Sequence, residues 1–263
     1  TNGYYSRSFY IWQDVYSTDY YVFSYDSSGT DTSEGKIRGV PQQLIDLRYT
    51  IDYIECIDII NSLPIFLFGH SWGGYAVSNI MNFCDNIEAI VSVSGFNSSK
   101  DIILSYGKKY VSLVAYVGLP IVKLYESIRF GKYAKSSAVE AFENSDTEVM
   151  IVHSVDDDVV PIEVGYNLYY EKFKDNERFK FVKYEEKGHS FVIYSDQAIK
   201  VINDFNDTFN KWLMLLEYDY NDKNNVDRFM SDKKKFYESN LDRNIMCNLI
   251  DIDLFNEIII FYN

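Results

Sequence analysis

Pro64-Ile65-Phe66-Leu67-Phe68-Gly69-His70-Ser71-Trp72-Gly73-Gly74 is the stretch that decides how this chain is read. An apolar run of strand length ends in Gly-x-Ser-x-Gly, and a segment with helical spacing follows. A sharp turn between a buried strand and a helix lifts a serine hydroxyl clear of the sheet edge. Such a turn needs neighbours almost without side chains, and Gly69 and Gly73, two positions either side of Ser71, are expected to supply them. The same turn leaves the backbone N–H of Trp72 at a helix start, without an intrahelical acceptor and aimed at the site. A glycine-containing loop ahead of an ordinary helix gives the same pattern, so the distinction rests on the rest of the chain.

A serine hydroxyl is a poor nucleophile until a base activates it. Two further segments offer the partners. Val149-Met150-Ile151-Val152-His153-Ser154-Val155-Asp156-Asp157-Asp158-Val159-Val160-Pro161 reads as an apolar strand running into an acidic loop. Phe179-Lys180-Phe181-Val182-Lys183-Tyr184 alternates like a strand and leads into Glu185-Glu186-Lys187-Gly188-His189-Ser190. Serine, aspartate and histidine therefore follow one another along the chain, each just past a strand. The chain has 3 histidines. His70 is adjacent to Ser71 in a tight turn and is poorly placed to swing round as its base. His153 closes a strand ahead of the acidic loop and is expected to hydrogen-bond within it. His189 remains as the base. Among the acids, Asp156, Asp157 and Asp158 compete, two of them being expected to be solvated or to cap the next helix.

These residues resemble the α/β-hydrolase superfamily, in which the triad runs Ser, Asp, His along the C-terminal edge of one sheet. The similarity is greatest to the branch of serine aminopeptidases, dienelactone hydrolases and acyl-peptidases, over roughly residues 1 to 215. That branch carries its acid in a His-Gly-x-x-Asp-x-x-Val-Pro stretch. The match to His153–Pro161 implies Asp157 as the acid, with Ser154 replacing the glycine. The opening Thr1-Asn2-Gly3-Tyr4-Tyr5-Ser6-Arg7 resembles the family's His-Gly-x-x-Ser-Arg turn, with Asn2 in place of histidine, which implies the backbone N–H of Tyr4 as second oxyanion donor. Asp26 to Gly35 loosely resembles the family's Asp-x-Arg-Gly-x-Gly-x-Ser loop. The family's early strands would precede Thr1, so the sequence is expected to be a fragment or a processed form.

The resemblance implies an α/β-hydrolase fold: a mostly parallel sheet with helices on both faces and a small helical cap, as one domain over residues 1–263. Strands alternating with helices independently imply the parallel sheet. Tyr20 to Tyr25 reads as a strand, and Pro41 opens a helix with Leu44, Leu47, Ile51, Ile54 and Ile57 on one face. Residues 97–146 break the simple alternation. They read as helices over Lys100–Tyr116, Pro120–Ile128 and Tyr133–Phe142, matching a cap insertion. Tyr106, Tyr110, Leu113, Tyr116, Leu119, Tyr125 and Phe130 are candidates for an acyl pocket, most of them being needed to pack the cap. Residues 195–215 form the helix after the histidine loop, and 217–263 a C-terminal extension. In that extension 217–235 reads as a polar linker, and Leu249–Tyr262 as a docking or self-associating helix.

A chain of 263 residues, 47% of them hydrophobic, can bury a large core. Its formal net charge of −14 makes nucleic acid and anionic membranes unlikely partners. Cys56, Cys84 and Cys247 lie far apart and without metal-ligand spacing, and read as reduced, buried thiols of a cytoplasmic protein. No signal peptide is visible. No metal or cofactor is expected. The expected activity is cleavage of an ester, thioester or small amide of a small-molecule acyl substrate by Ser71, His189 and Asp157. The alternatives are an aminopeptidase-like peptidase and a non-catalytic binding protein that keeps the scaffold.

Overall fold

The computed structural model describes residues 20–30, 33–110, 113–216, 223–241 and 250–263. These fall into two compact units, one holding Phe23–Val192 with Glu257–Asn263, the other Ile193–Asn256.

In the first unit, helix α1 (Pro41–Glu55) precedes strand β1 (Ile65–His70), helix α2 (Trp72–Asn79) and strand β2 (Ile87–Val93). Helices α3 (Ser99–Tyr110), α4 (Leu113–Phe130) and α5 (Ala138–Glu143) fill the stretch before strand β3 (Glu148–Ser154). Helix α6 (Tyr166–Phe173) and strand β4 (Phe179–Tyr184) complete the alternation. The four strands are all parallel and lie in chain order, β1-β2-β3-β4. Their carboxyl ends therefore share one edge of the sheet. The two central strands are apolar on both faces and buried along nearly their whole length, as parallel strands covered on both sides must be.

The pleat sorts the strand residues between two faces. Ile90, Val149 and Ile151 join a core with Leu44, Leu47 and Ile51 of α1, Tyr75 and Ala76 of α2, Phe142 of α5 and Tyr169 of α6. Leu44, Ile90 and Ile151 are at most 2% exposed, and each such side chain stabilises the fold by about 1.5–3 kcal/mol. On β1, Ile65 and Leu67 pack against that core, whereas Phe66 meets the Tyr262 ring at 5.0 Å between centroids. The Tyr262 hydroxyl donates to the Leu67 carbonyl at 2.7 Å, and Glu257 pairs with Lys180 of β4 at 3.4 Å. The last turns of helix Ile252–Tyr262 thus cover the opposite face, and the sheet carries helices on both sides as expected.

In the second unit, α7 (Asp196–Met214) starts at Ser195, whose hydroxyl accepts from the Ala198 N–H at 3.2 Å. Helix α8 (Lys223–Asn240) lies against it through rings: Phe209 meets Phe236 at 5.6 Å and Tyr237 at 5.2 Å, and Trp212 meets Phe236 at 4.8 Å. Tyr194 forms an antiparallel bridge with Ile250 ahead of α9 (Ile252–Tyr262).

Four expectations from sequence are revised. Residues 20 to 27 form no strand: Tyr21, Phe23 and Tyr25 are 68%, 48% and 40% exposed, and a run of strand-favouring aromatic residues does not by itself make a ladder. The second cap helix begins at Leu113 and runs through Pro120 rather than starting there. The polar stretch expected as a linker is mostly helix α8. Cys56 is exposed, whereas Cys84 is buried as expected and accepts from the Arg48 guanidinium at 2.7 Å. Cys247 lies outside the described residues. Among the described residues, no helix is long and apolar enough to cross a membrane.

Candidate active site

Ser71 is the residue between β1 and α2, and its backbone sits at φ 59° and ψ −115°. That conformation is costly for a residue with a Cβ and persists only where its surroundings impose it. The Ser71 N–H donates to the Val93 carbonyl of β2 at 2.9 Å, and the Ser71 carbonyl accepts from the Tyr75 N–H at 2.9 Å. Glycines allow strand and helix to meet this closely. A Cβ on Gly69 would overlap the Gly73 carbonyl, and one on Gly74 would stand 2.9 Å from both the Gly95 Cα and the Val93 oxygen. A Cβ on Gly73 itself would meet nothing within 4 Å. The pair that must lack side chains is therefore Gly69 and Gly74, and Gly73 contributes only its backbone.

His189 comes from the loop after β4. Its Nε2 lies 2.9 Å from the Ser71 Oγ, and its Nδ1 lies 2.8 Å and 3.0 Å from the two Asp157 carboxylate oxygens. A carboxylate only accepts, so Nδ1 carries the proton and Nε2 faces the serine with its lone pair. The geometry brings Ser71, His189 and Asp157 into one hydrogen-bonded line. Trp72 opens α2, and its N–H belongs to the first turn, which finds no acceptor within a helix. Tyr4, the other expected oxyanion donor, lies outside the described residues, as does the opening turn around it.

The acidic loop is ordered by its own backbone. Asp157 Oδ1 accepts from the N–H groups of Val159 (3.0 Å) and Val160 (2.7 Å). His153, fully buried, donates from Nε2 to the Val160 carbonyl at 2.9 Å and stands 3.4 Å from Asp157 Oδ2. This is the role within the loop that its position suggested. Burial alone would raise the Asp157 carboxyl, but hydrogen bonds from His153, His189 and the Val160 N–H outweigh it and hold the group well below the usual carboxylate range. Asp157 is thus an anion fixed on the far side of the imidazole.

Three neighbours have positions that the sequence alone did not reveal. His70 donates from Nε2 to the His189 carbonyl at 2.8 Å, and the two rings lie 4.9 Å apart. Asp156, a rival for the acid, turns instead to the Ser154 hydroxyl (2.5 Å) and the Gly188 N–H (2.7 Å). Ser154 accepts from the Lys187 N–H at 2.9 Å. Apart from the local bond between Ser154 and Asp156, these contacts join residues more than thirty apart, which no local pattern encodes. Of the cap candidates, Phe130 is buried against Tyr125 and Tyr106 is partly exposed, while the side chains of Tyr110, Leu113 and Tyr116 lie outside those described. Among the described residues, no group of three or more His, Cys, Asp or Glu is arranged to hold a metal ion.

A parallel sheet flanked by helices, with serine, aspartate and histidine beyond its strand ends in that chain order, defines an α/β-hydrolase of the serine hydrolase class. The profile of the prolyl oligopeptidase family (Peptidase S9) matches residues 42–215, and the chain belongs to that family. It is 24% identical over 215 residues to the lysophosphatidylserine lipase ABHD12 of Danio rerio, covering 74% of this chain and 52% of that protein. The chain thus spans about half the length of that curated relative. Among solved structures, the Pyrococcus furiosus esterase Pf2001 aligns at 14% identity over 72% of this chain and 66% of its own, with a TM-score of 0.46. Dipeptidyl peptidase 4 of Porphyromonas gingivalis aligns at 17% identity over 64% of this chain and 22% of its own, with a TM-score of 0.43.

Proposed function

We propose that the chain cleaves a carboxylic ester, thioester or small amide by way of an acyl-enzyme on Ser71. The observation that carries this reading is the line Ser71 Oγ, His189 Nε2, His189 Nδ1 and Asp157, with spacings of 2.9 and 2.8 Å. In the first step the Ser71 oxygen bonds to the substrate carbonyl carbon as its proton passes to His189 Nε2. Asp157 stabilises the imidazolium and keeps the ring in one tautomer. The developing oxyanion takes the Trp72 N–H, with the Tyr4 N–H as the second donor implied by the resemblance. Collapse expels the alcohol, thiol or amine, which leaves with the proton from His189. Water then bonds to the acyl carbon as it gives a proton to His189; the second collapse breaks the bond to Ser71, whose oxygen takes that proton back, and releases the acid.

Esters are favoured as substrates because an ester carbonyl is less stabilised by resonance than an amide carbonyl and is attacked more easily, and a lipase among the relatives agrees with this. A peptidase is the second reading, favoured by the family whose profile matches residues 42–215. A scaffold that binds without turnover is the rival from outside catalysis. Labelling by a fluorophosphonate decides between these classes, because it needs an activated serine and not the right substrate. The native chain is expected to be labelled, and Ser71→Ala and His189→Ala are expected to lose labelling while keeping the native melting transition. A folded native chain that stays unlabelled overturns the catalytic reading. With labelling established, rates on nitrophenyl esters against aminoacyl nitroanilides separate esterase from peptidase.

A further inference from the structure

The imidazole of His189 is useful only if its loop holds it in place, and that loop is gripped at three consecutive residues. The Lys187 N–H donates to the Ser154 hydroxyl oxygen at 2.9 Å, and the Gly188 N–H donates to Asp156 Oδ1 at 2.7 Å. The His189 carbonyl accepts from His70 Nε2 at 2.8 Å. Ser154 donates its own hydrogen to Asp156 Oδ1 at 2.5 Å, which ties the two acceptors together. Ser154 is fully buried at the end of β3, so this grip is anchored in the sheet. Gly188 takes a φ of +56°, a turn that brings its N–H round to Asp156 and sends the next residue toward Ser71. Asp156 takes the Gly188 N–H and the Ser154 hydroxyl, and reaches the Lys187 N–H only through Ser154.

We propose that Asp156, acting with Ser154, is a positioning residue for the base. The acidic loop carries two neighbouring carboxylates with separate tasks. Asp157 orients the imidazole directly, and Asp156 fixes the backbone from which the imidazole hangs. Ser154 stands where the resembling motif has glycine, and a glycine there has no hydroxyl to offer Lys187. The inference rests on the assignment of Ser71 and His189 as nucleophile and base.

The test uses the full chain and three variants, Asp156→Ala, Asp156→Asn and Ser154→Gly, with two readouts. The first is the fluorophosphonate labelling rate, with kcat and KM on a nitrophenyl ester. The second is amide hydrogen exchange of the segment holding Lys187 and Gly188, which needs no activity. Asp156→Ala is expected to exchange faster there and to be labelled about tenfold more slowly, with the loss in kcat and KM within about twofold, as a displaced base predicts. Asp156→Asn keeps an oxygen for the Gly188 N–H and is expected to return to within about threefold of the native rate. Unchanged exchange in Asp156→Ala overturns the proposal, as does faster exchange with native labelling, or an Asn variant as slow as Ala. Should Asp156→Ala not fold, Ser154→Gly decides: faster exchange with slower labelling supports the grip, and native behaviour in both overturns it. An unlabelled native chain would refute the assignment of Ser71 instead, and the exchange readout would still judge the grip.

Discussion

His70 shows how one residue beside Ser71 links stability to pH. Burial lowers its imidazole from 6.5 to about 4, outweighing the pull of its bond to the His189 carbonyl. The folded pKa lies below the unfolded one, so between those values the unfolded chain binds the extra proton. Stability is full above pH 6.5 and is lost as pH falls toward about 4, by at most about 3 kcal/mol from this group. His70→Gln keeps a donor for the carbonyl and removes the titration. The melting temperature of that variant is therefore expected to fall less between pH 7 and pH 4.5 than that of the native chain. His189, His153 and Asp157 lie within the field of His70 and remain in both proteins, so the comparison isolates His70. Equal slopes would rule out this coupling. At this scale the sequence spoke clearly for Ser71 and His189, since a nucleophile elbow and a sole surviving histidine are local signals. Asp157 needed the motif as well, because three adjacent aspartates look alike until the fold turns one toward the ring.

Among the elements, the turn from β1 into α2 makes the sharpest prediction. Gly69→Ala is expected to destabilise the chain by about 2–3 kcal/mol, since its Cβ must displace backbone rather than a flexible side chain. Gly73→Ala, facing open space, is expected to change stability by less than about 1 kcal/mol. Denaturant unfolding of both variants checks the pair, and equal losses would contradict the packing described. The motif as a string gives both glycines the same weight; only the path of the backbone separates them. The strands were legible for a simpler reason. Val149–Val152 and Ile87–Val93 are apolar on both faces because helices cover both. Helix α8 was not legible, because Phe229, Phe236 and Tyr237 are spread two turns apart among Arg228 and Lys233 to Lys235. Its apolar stripe is narrow and its composition is that of a linker. Tyr20 to Tyr25 erred in the opposite direction, with strand-favouring aromatic residues in a segment that is not a strand.

For the molecule as a whole, charge is the dominant collective term. A net charge of −14 repels itself, and added salt shortens the range of that repulsion from about 30 Å at 0.01 M to about 8 Å at 0.15 M. The melting temperature is expected to rise over that range of sodium chloride at constant pH. A flat or falling profile would mean that local ion pairs, such as Arg48 with Asp52 at 2.6 Å, outweigh the collective repulsion.

The chain order of the strands bears on how the protein is born. Ser71 and His189 are 118 residues apart, and the strand that carries the histidine is the last of the four to leave the ribosome. At about 5–20 residues per second, roughly 6 to 24 seconds separate the synthesis of Ser71 from that of His189. Throughout that interval the nascent chain holds Ser71 without the imidazole that stands 2.9 Å from it in the finished fold. On the proposed mechanism, acyl transfer waits for the last strand, and a chain that ends before His189 is expected to be inert.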